Sequence, residues 1–263
     1  MQLAISTASY FSKLFTEDSF EQIKKLELKT CEVFLATFYE YTREFCDLLT
    51  QRSKGLNIYS VHALTNQFEP ELFSISPRTR KDAEDLFDKV IDTAQRLNAK
   101  YYTFHGPTRL KKKEYNIDYN LIGERLLELN EKANKKNINI AYENVHWTFF
   151  NIPQYFEKLR PYCKGISTVL DIKQAMQIGI DYNSFLDVMG DTLVNVHICD
   201  YDEKGKLCMP GKGVFDFKKL FSRLREMGYN GVVTIELYAD AYSLFDDIKG
   251  CIEYLRDIYP FEY

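Results

Sequence analysis

The chain has 263 residues, 45% hydrophobic and 27% charged, which is an ordinary globular composition with enough length for a large core. A net charge of -4 disfavours nucleic acid as a partner, because gripping a phosphate backbone usually takes a basic footprint. No run approaches the roughly 20 apolar residues of a membrane span. The N-terminal MQLAISTASY lacks the basic and apolar regions of a signal peptide, and the six cysteines form no CxxC pair. They read as reduced thiols of a cytoplasmic protein.

Taken in chain order, short β-rich runs alternate with helical ones. LAISTASY from Leu3 precedes a helix over Ser19–Leu28, and TCEVFLA from Thr30 precedes one over Glu40–Gln51. NIYSVHA from Asn57 leads, after a long connection over Leu64–Ser76, into Pro77–Leu97. There Ala83, Leu86, Phe87, Val90, Ile91, Ala94 and Leu97 form a helical stripe. KYYTFHG from Lys100 and a second long connection, Pro107–Asp118, lead to a helix over Tyr119–Lys135. NINIAYEN from Asn137 is followed by a short helix to Leu159, with Asn151 as its expected N-cap and Pro153 in its first turn. GISTVLDI from Gly165 precedes a broken pair, Gln174–Ile178 and Asp181–Met189. LVNVHICD from Leu193 and GVVTIELY from Gly231 are followed by helices over Asp216–Met227 and Tyr242–Ile258.

Eight strands alternating with helices predict an α/β fold with a parallel sheet, closed into a single (β/α)8 TIM barrel domain over residues 1–263. The rival is an open doubly wound sheet, but no GxGxxG follows the first strand.

Strand parity then sorts the side chains. Ile138, Ile140 and Tyr142 share one face and Asn139, Ala141 and Glu143 the other. Asn195 and His197 oppose Val194, Val196 and Ile198. Thr234 and Glu236 oppose Val233, Ile235 and Leu237. Ser167 and Asp171 oppose Leu170 and Ile172. Ser60 pairs with His62, and Thr103 with His105. With the apolar face on the helices, the other face gathers His62, His105, Glu143, Asp171, His197 and Glu236 at the C-terminal end of the barrel. Three converging carboxylates repel one another unless a cation is present. The mixture of imidazole and carboxylate suits zinc, manganese or a related divalent ion.

These residues, with the motifs ENVHW, LDIKQAMQIGID, VNVHICDYD, PGKGVFDF and GYNGVVTIEL, resemble the sugar isomerase/epimerase superfamily, the xylose isomerase-like barrels that include the endonuclease IV group. The resemblance implies that Glu143, Asp171, His197 and Glu236 bind one divalent ion (Mn, Zn, Co or Mg). It implies that Glu143 and Glu236 exchange protons with a carbon next to a carbonyl of a sugar, sugar phosphate or polyol. His62 and His105 match positions that bind substrate oxygens in the sugar enzymes and metal in endonuclease IV. His146 resembles a substrate-side histidine, with a loop hydrogen bond as the alternative. Glu32 is inward by parity and reads as a hydroxyl contact or as half of a buried ion pair.

The chain departs from the family in three places. Gln174 replaces the histidine of a common D-x-x-H, which suits a sugar hydroxyl better than a metal. No Asp or His lies within 205–213, so the ligands of a three-zinc nuclease are incomplete. No Arg or His lies just before PGKG, where many sugar epimerases have one. Arg109-Leu110-Lys111-Lys112-Lys113 reads as a solvated basic loop or as a lid over a phosphorylated or acidic sugar. Tyr10, Phe11, Phe38, Tyr39, Trp147, Phe149 and Phe150 follow strands one, two and five. They could stack on a sugar ring, or pack between loops or between subunits of a homo-oligomer. The reading is a metal-dependent isomerase or epimerase. A keto-inositol-type dehydratase, an abasic-site endonuclease and a non-catalytic sugar-binding barrel are its rivals.

Overall fold

The structure is a computed structural model that describes residues 1–64, 68–109 and 116–262. Its strands in chain order are β1 (Gln2–Ser6), β2 (Thr30–Leu35), β3 (Asn57–Ala63), β4 (Tyr101–Phe104), β5 (Asn139–Glu143), β6 (Ser167–Asp171), β7 (Leu193–Ile198), β8 (Asp200–Tyr201), β9 (Leu207–Cys208) and β10 (Val232–Ile235). Eight of them close a barrel in the order β1-β10-β7-β6-β5-β4-β3-β2, all pairs parallel. The helices are α1 (Thr16–Lys25), α2 (Arg43–Arg52), α3 (Pro77–Arg96), α4 (Tyr119–Asn134), α5 (Pro153–Leu159), α6 (Ile172–Gln177), α7 (Tyr182–Met189), α8 (Phe217–Glu226) and α9 (Asp247–Ile258).

The outward strand residues read from parity are buried in one apolar core with the helices, among them Ile140, Tyr142, Leu170, Val196, Ile198, Val233 and Ile235. The barrel interior is separate. Its base is filled by Ala4, Tyr59 and Val232, with Tyr101 packed against them. Two strands carry a one-residue irregularity. On β3, Ile58 pairs with Cys31 and Ser60 with Glu32, which leaves Tyr59 as the extra residue. On β7, Leu193 pairs with Thr168 and Asn195 with Val169, which leaves Val194 extra. The two extra residues are joined across the base, the Tyr59 hydroxyl donating to the Val194 carbonyl at 2.7 Å. Above them the rim residues Ser60, His62, Asn195 and His197 keep the inward direction that period-two alternation gives them.

Several boundaries differ from those read in the sequence. The N-cap of α5 is Ile152, without a side-chain hydrogen bond, while the Asn151 amide donates to the His146 carbonyl at 3.4 Å. The last helix begins at Asp247 instead of Tyr242. The Asp247 carboxylate ties down the amides of Ser243 and Leu244, and the Tyr242 hydroxyl is drawn to the Ser9 carbonyl, so the intervening chain is a turn. The β8–β9 hairpin was not anticipated. Asp200 organises it by accepting the amides of Tyr201, Gly211, Gly213 and Phe215. Gly213 is required there, because a Cβ would run into the Asp200 carboxylate and the Tyr201 carbonyl. All six cysteines are free. No helix among the described residues is long and apolar enough to cross a membrane.

Candidate active site

Glu143, the last residue of β5, is buried between two imidazoles. Its Oε2 lies 2.7 Å from His105 Nε2 and its Oε1 2.9 Å from His197 Nδ1. His197 Nδ1 also lies 3.8 Å from Glu236 Oε2, so the ring stands between the two glutamates. On its other side His197 Nε2 lies 3.3 Å from Glu32. Glu32 is fully buried beneath the rim and accepts from Ser60 and Thr103 at 2.7 and 2.8 Å; its Oε1 is 3.3 Å from His62 Nδ1. Its carboxylate therefore orients two histidines, in the way outer carboxylates fix ligating imidazoles.

The backbone frame around these groups is also tied. Asn144 bridges the ends of β5 and β6: its Nδ2 donates to the Asp171 carbonyl at 3.0 Å, and its Oδ1 accepts the Asp171 amide at 2.7 Å. This fixes Glu143 against Asp171. Asp171 ends β6 and caps α6 at once, its Oδ1 accepting the Gln174 amide at 3.1 Å. Glu236 follows β10; Ser9 holds the next peptide by accepting the Leu237 amide at 3.0 Å. On the opposite side, the buried Glu69 accepts the amides of His105 and Gly106 at 2.8 and 3.0 Å and the hydroxyl of Tyr102. Gly106 has a positive φ and lies so close to Tyr142 that a Cβ would collide with its ring and hydroxyl.

His62 and His105 meet Nε2 to Nε2 at 2.9 Å. The single Nε2 of His105 cannot both donate to Glu143 and accept from His62, so this edge competes for one proton. Ligand atoms of Glu143, Asp171, His197 and Glu236 all lie within 4.8 Å of one another, and the same holds for His62, His105 and Glu143, and for Glu32, His62 and Glu236. Asp171 Oδ2 is buried without a hydrogen bond. Lys173 Nζ stands 3.2 Å from it, close enough for an ion pair but not aligned for a hydrogen bond. The same ammonium donates to Glu236 Oε2 at 3.0 Å.

These charges move the proton affinities. Burial raises Glu143, but His197 and His105 outweigh it and hold the carboxyl at about 2. Burial also works against ionisation of Glu236, and Lys173, His197 and His62 overcome it, leaving the group well below its ordinary range. Asp171 goes the other way, lifted to about 6 by burial and by Glu143 and Glu236 against the pull of Lys173. Burial opposes charge on His62, yet Glu236 and Glu32 bring it up to about 10.

The remaining residues singled out in the sequence lie around this centre. His146 and Gln174 are bonded to each other: the Gln174 carbonyl oxygen accepts the His146 amide at 3.1 Å and meets its ring Nδ1. Trp147 sets its ring edge-on to His105 at 6.0 Å. The loop carrying it is held by the Arg109 amide on the Trp147 carbonyl and the Phe149 amide on the Pro107 carbonyl. Phe11, Phe38 and Tyr39 are exposed, whereas Tyr10 and Phe150 are core. Residues 110–113 of the basic loop lie outside the described residues.

The family model described as the xylose isomerase-like TIM barrel matches residues 20–258. The chain belongs to that family. Fructoselysine 3-epimerase of Shigella flexneri is 24% identical over 205 residues, 70% of this chain and 74% of that protein. D-psicose 3-epimerase from Clostridium cellulolyticum H10, solved with D-tagatose, superposes with a TM-score of 0.79 at 15% identity, covering 98% of this chain and 99% of that one. The IolI protein with a bound zinc atom gives 0.78 at 19% identity over 99% and 100%. The two structures are similar to this chain in fold.

As a xylose isomerase-like barrel, the chain carries a donor set that fits a divalent ion. Three carboxylates and one imidazole converge, and one buried carboxylate oxygen lacks a hydrogen bond. The sequence reading missed Lys173, Phe34, Asn144 and Glu69. Phe34 was legible, because it shares the inward parity of Glu32 on β2 and stands edge-on to His62 at 5.3 Å. Lys173 carried a weaker signal, a lysine in the first helical turn directly after an inward aspartate.

Proposed function

We propose that this protein is a divalent-metal-dependent sugar isomerase or epimerase that moves a proton on a carbon next to a carbonyl. The observation that carries the reading is the convergence of two glutamates, Glu143 and Glu236, with Asp171 and His197 at the C-terminal mouth of the barrel. Active sites of TIM-barrel enzymes sit at that end. The similarity to a fructoselysine 3-epimerase supports a sugar with a ketone as substrate.

Glu143, Asp171, His197 and Glu236 would hold the ion. When bound, it would supply a Lewis acid that polarises the carbonyl and offsets the charge developing next to it. The chain's own residues do the rest. Glu143 is kept anionic chiefly by His197 and His105, and Glu236 by Lys173, His197 and His62, which is the protonation state a base requires. The two glutamates are the acid/base pair of this reading. One takes the proton from the carbon, and the other returns one to the opposite face or to the neighbouring carbon. His62 and His105 flank Glu236 and Glu143, at positions that match substrate-oxygen ligands in the sugar enzymes; to meet a sugar hydroxyl they would exchange part of the His62–His105 contact for it. Trp147, beside His105, and the bonded pair His146 and Gln174, whose amide Asp171 caps, are the further candidates for contact with the sugar. The abasic-site endonuclease reading loses ground because no Asp or His lies within 205–213, and the Asp200 carboxylate before that stretch is spent on the amides of Tyr201, Gly211, Gly213 and Phe215.

The test is to incubate the Mn²⁺-loaded protein with ketoses, ketose phosphates and keto-inositols in D₂O. Deuterium uptake at the carbon beside the carbonyl without loss of water is the expected result. Glu143→Gln and Glu236→Gln should each lower exchange by at least about 10²-fold, the contribution of a positioned acid/base. Net dehydration would assign a dehydratase. A ligand that binds without exchange would make the barrel a binding protein.

A further inference from the structure

Lys173 is the second residue of α6, in a first turn where the helix dipole disfavours a cation. It is also buried, and lysine is almost never fully buried unless paired. Its ammonium lies 3.0 Å from Glu236 Oε2 and 3.2 Å from Asp171 Oδ2, with the Tyr238 ring centroid 4.6 Å away. Those carboxylates are two of the four groups assigned to the ion. Asp171 Oδ1 already accepts the Gln174 amide, so Oδ2, buried without a hydrogen bond, is the less engaged of its two oxygens. That free oxygen is the one the ammonium faces.

Resting on the reading of Glu143, Asp171, His197 and Glu236 as a divalent-ion site, we propose that Lys173 is a built-in counter-cation that competes with the ion for Asp171 and Glu236. It limits the affinity of the site and holds the ligands together when the ion leaves. The charges agree with this role. Three carboxylates face the ion, and a divalent ion plus one ammonium balances them. With the ammonium alone the site keeps an excess negative charge that draws an ion in. Without the ammonium the attraction is stronger, and in the metal-free site only His62 and His197 are left to offset the repulsion among the carboxylates. Lys173 is thus a positioning residue, acting through Asp171 and Glu236.

The experiment is calorimetric titration of metal-stripped wild-type, Lys173→Met and Lys173→Arg proteins with Mn²⁺ at neutral pH, with thermal melts of each protein with and without the ion. Lys173→Met should bind Mn²⁺ at least about tenfold tighter, about 1.4 kcal/mol. It should melt lower than wild type when metal-free and recover when saturated. Lys173→Arg, which keeps the charge, should stay near wild type in affinity. Equal or weaker binding by Lys173→Met overturns the proposal while leaving the ion site standing. Absence of Mn²⁺ binding by all three proteins removes the ion site and the proposal with it. Should Lys173→Met fail to fold by circular dichroism, the wild-type chain labelled with ¹⁵N at the lysine side chains decides. Its Lys173 ammonium signal, identified by its loss in Lys173→Arg, should shift on adding Zn²⁺. A signal unmoved at saturation overturns the competition.

Discussion

Replacing Glu69 by alanine perturbs the site without touching any group assigned to the ion. The carboxylate is fully buried and accepts three donors: the amides of His105 and Gly106 and the Tyr102 hydroxyl. Alanine strands all three in a dry place. Each unsatisfied buried donor costs about 1–3 kcal/mol, so the low end of the sum is about 3–6 kcal/mol. For a chain of this length each kcal/mol lowers Tm by about 2 °C, which gives a drop of about 6–12 °C. Glu69→Gln separates acceptor count from charge. Its amide oxygen still serves the two backbone donors, and the Tyr102 hydroxyl can turn to accept from its NH₂. The expected cost is about 1 kcal/mol, roughly 2 °C. Calorimetry measures the Tm, and hydrogen exchange at the His105 and Gly106 amides locates the effect; both amides should lose protection in Glu69→Ala. A Glu69→Ala protein melting within about 2 °C of wild type, with those amides still protected, would refute the reasoning. A Glu69→Gln protein as weak as Glu69→Ala would show that charge, not the number of acceptors, is what the site needs.

Two other outcomes follow from the geometry. His62 has a folded pKa raised to about 10 from an ordinary 6.5, so its contribution to the metal-free chain is complete below about 6.5 and is lost as pH rises through 10. Melts of the metal-free protein between pH 6 and 10.5 should show this decline, and His62→Gln should flatten it; an unchanged slope would place the titration elsewhere. Tyr59→Phe removes the hydroxyl that joins the two irregular strands across the barrel base and should cost about 1 kcal/mol in urea unfolding. A neutral result would mean that the base is held by packing alone.

The barrel was legible because its strands end in polar residues of one parity, and burial of the opposite face forces that parity inward. Glu143, His197 and Glu236 needed only this argument. Lys173 did not yield to it. It lies on a helix, where period two no longer applies, and it reaches the site through a long side chain whose target is on another strand. Glu69 was hidden for a related reason, because it opens a 3-10 turn in the connection after β3 and two of its three partners are backbone amides, which leave no trace in residue type. The hairpin at Asp200 and the late start of α9 share this cause, since one aspartate gathers several amides in each. Parity alone turns Glu32 inward, but choosing between a sugar hydroxyl and a buried ion pair takes depth, which parity does not give; the carboxylate lies below the rim, against His62 and His197.

The extra residue at Tyr59 has a consequence for how this barrel tolerates change. In an uninterrupted strand, neighbouring residues point to opposite sides, so a tyrosine filling the floor and a serine directly after it could not both face the axis. The insertion lets the floor be plugged by Tyr59 and Tyr101 while Ser60 and His62 still serve the mouth. Floor and mouth are thereby uncoupled along one strand, and each can be altered without rotating the other. Deleting residue 59 would remove the plug alone: Ile58 and Ser60 would then pair with Cys31 and Glu32 without interruption, and Ser60 and His62 would still face the axis.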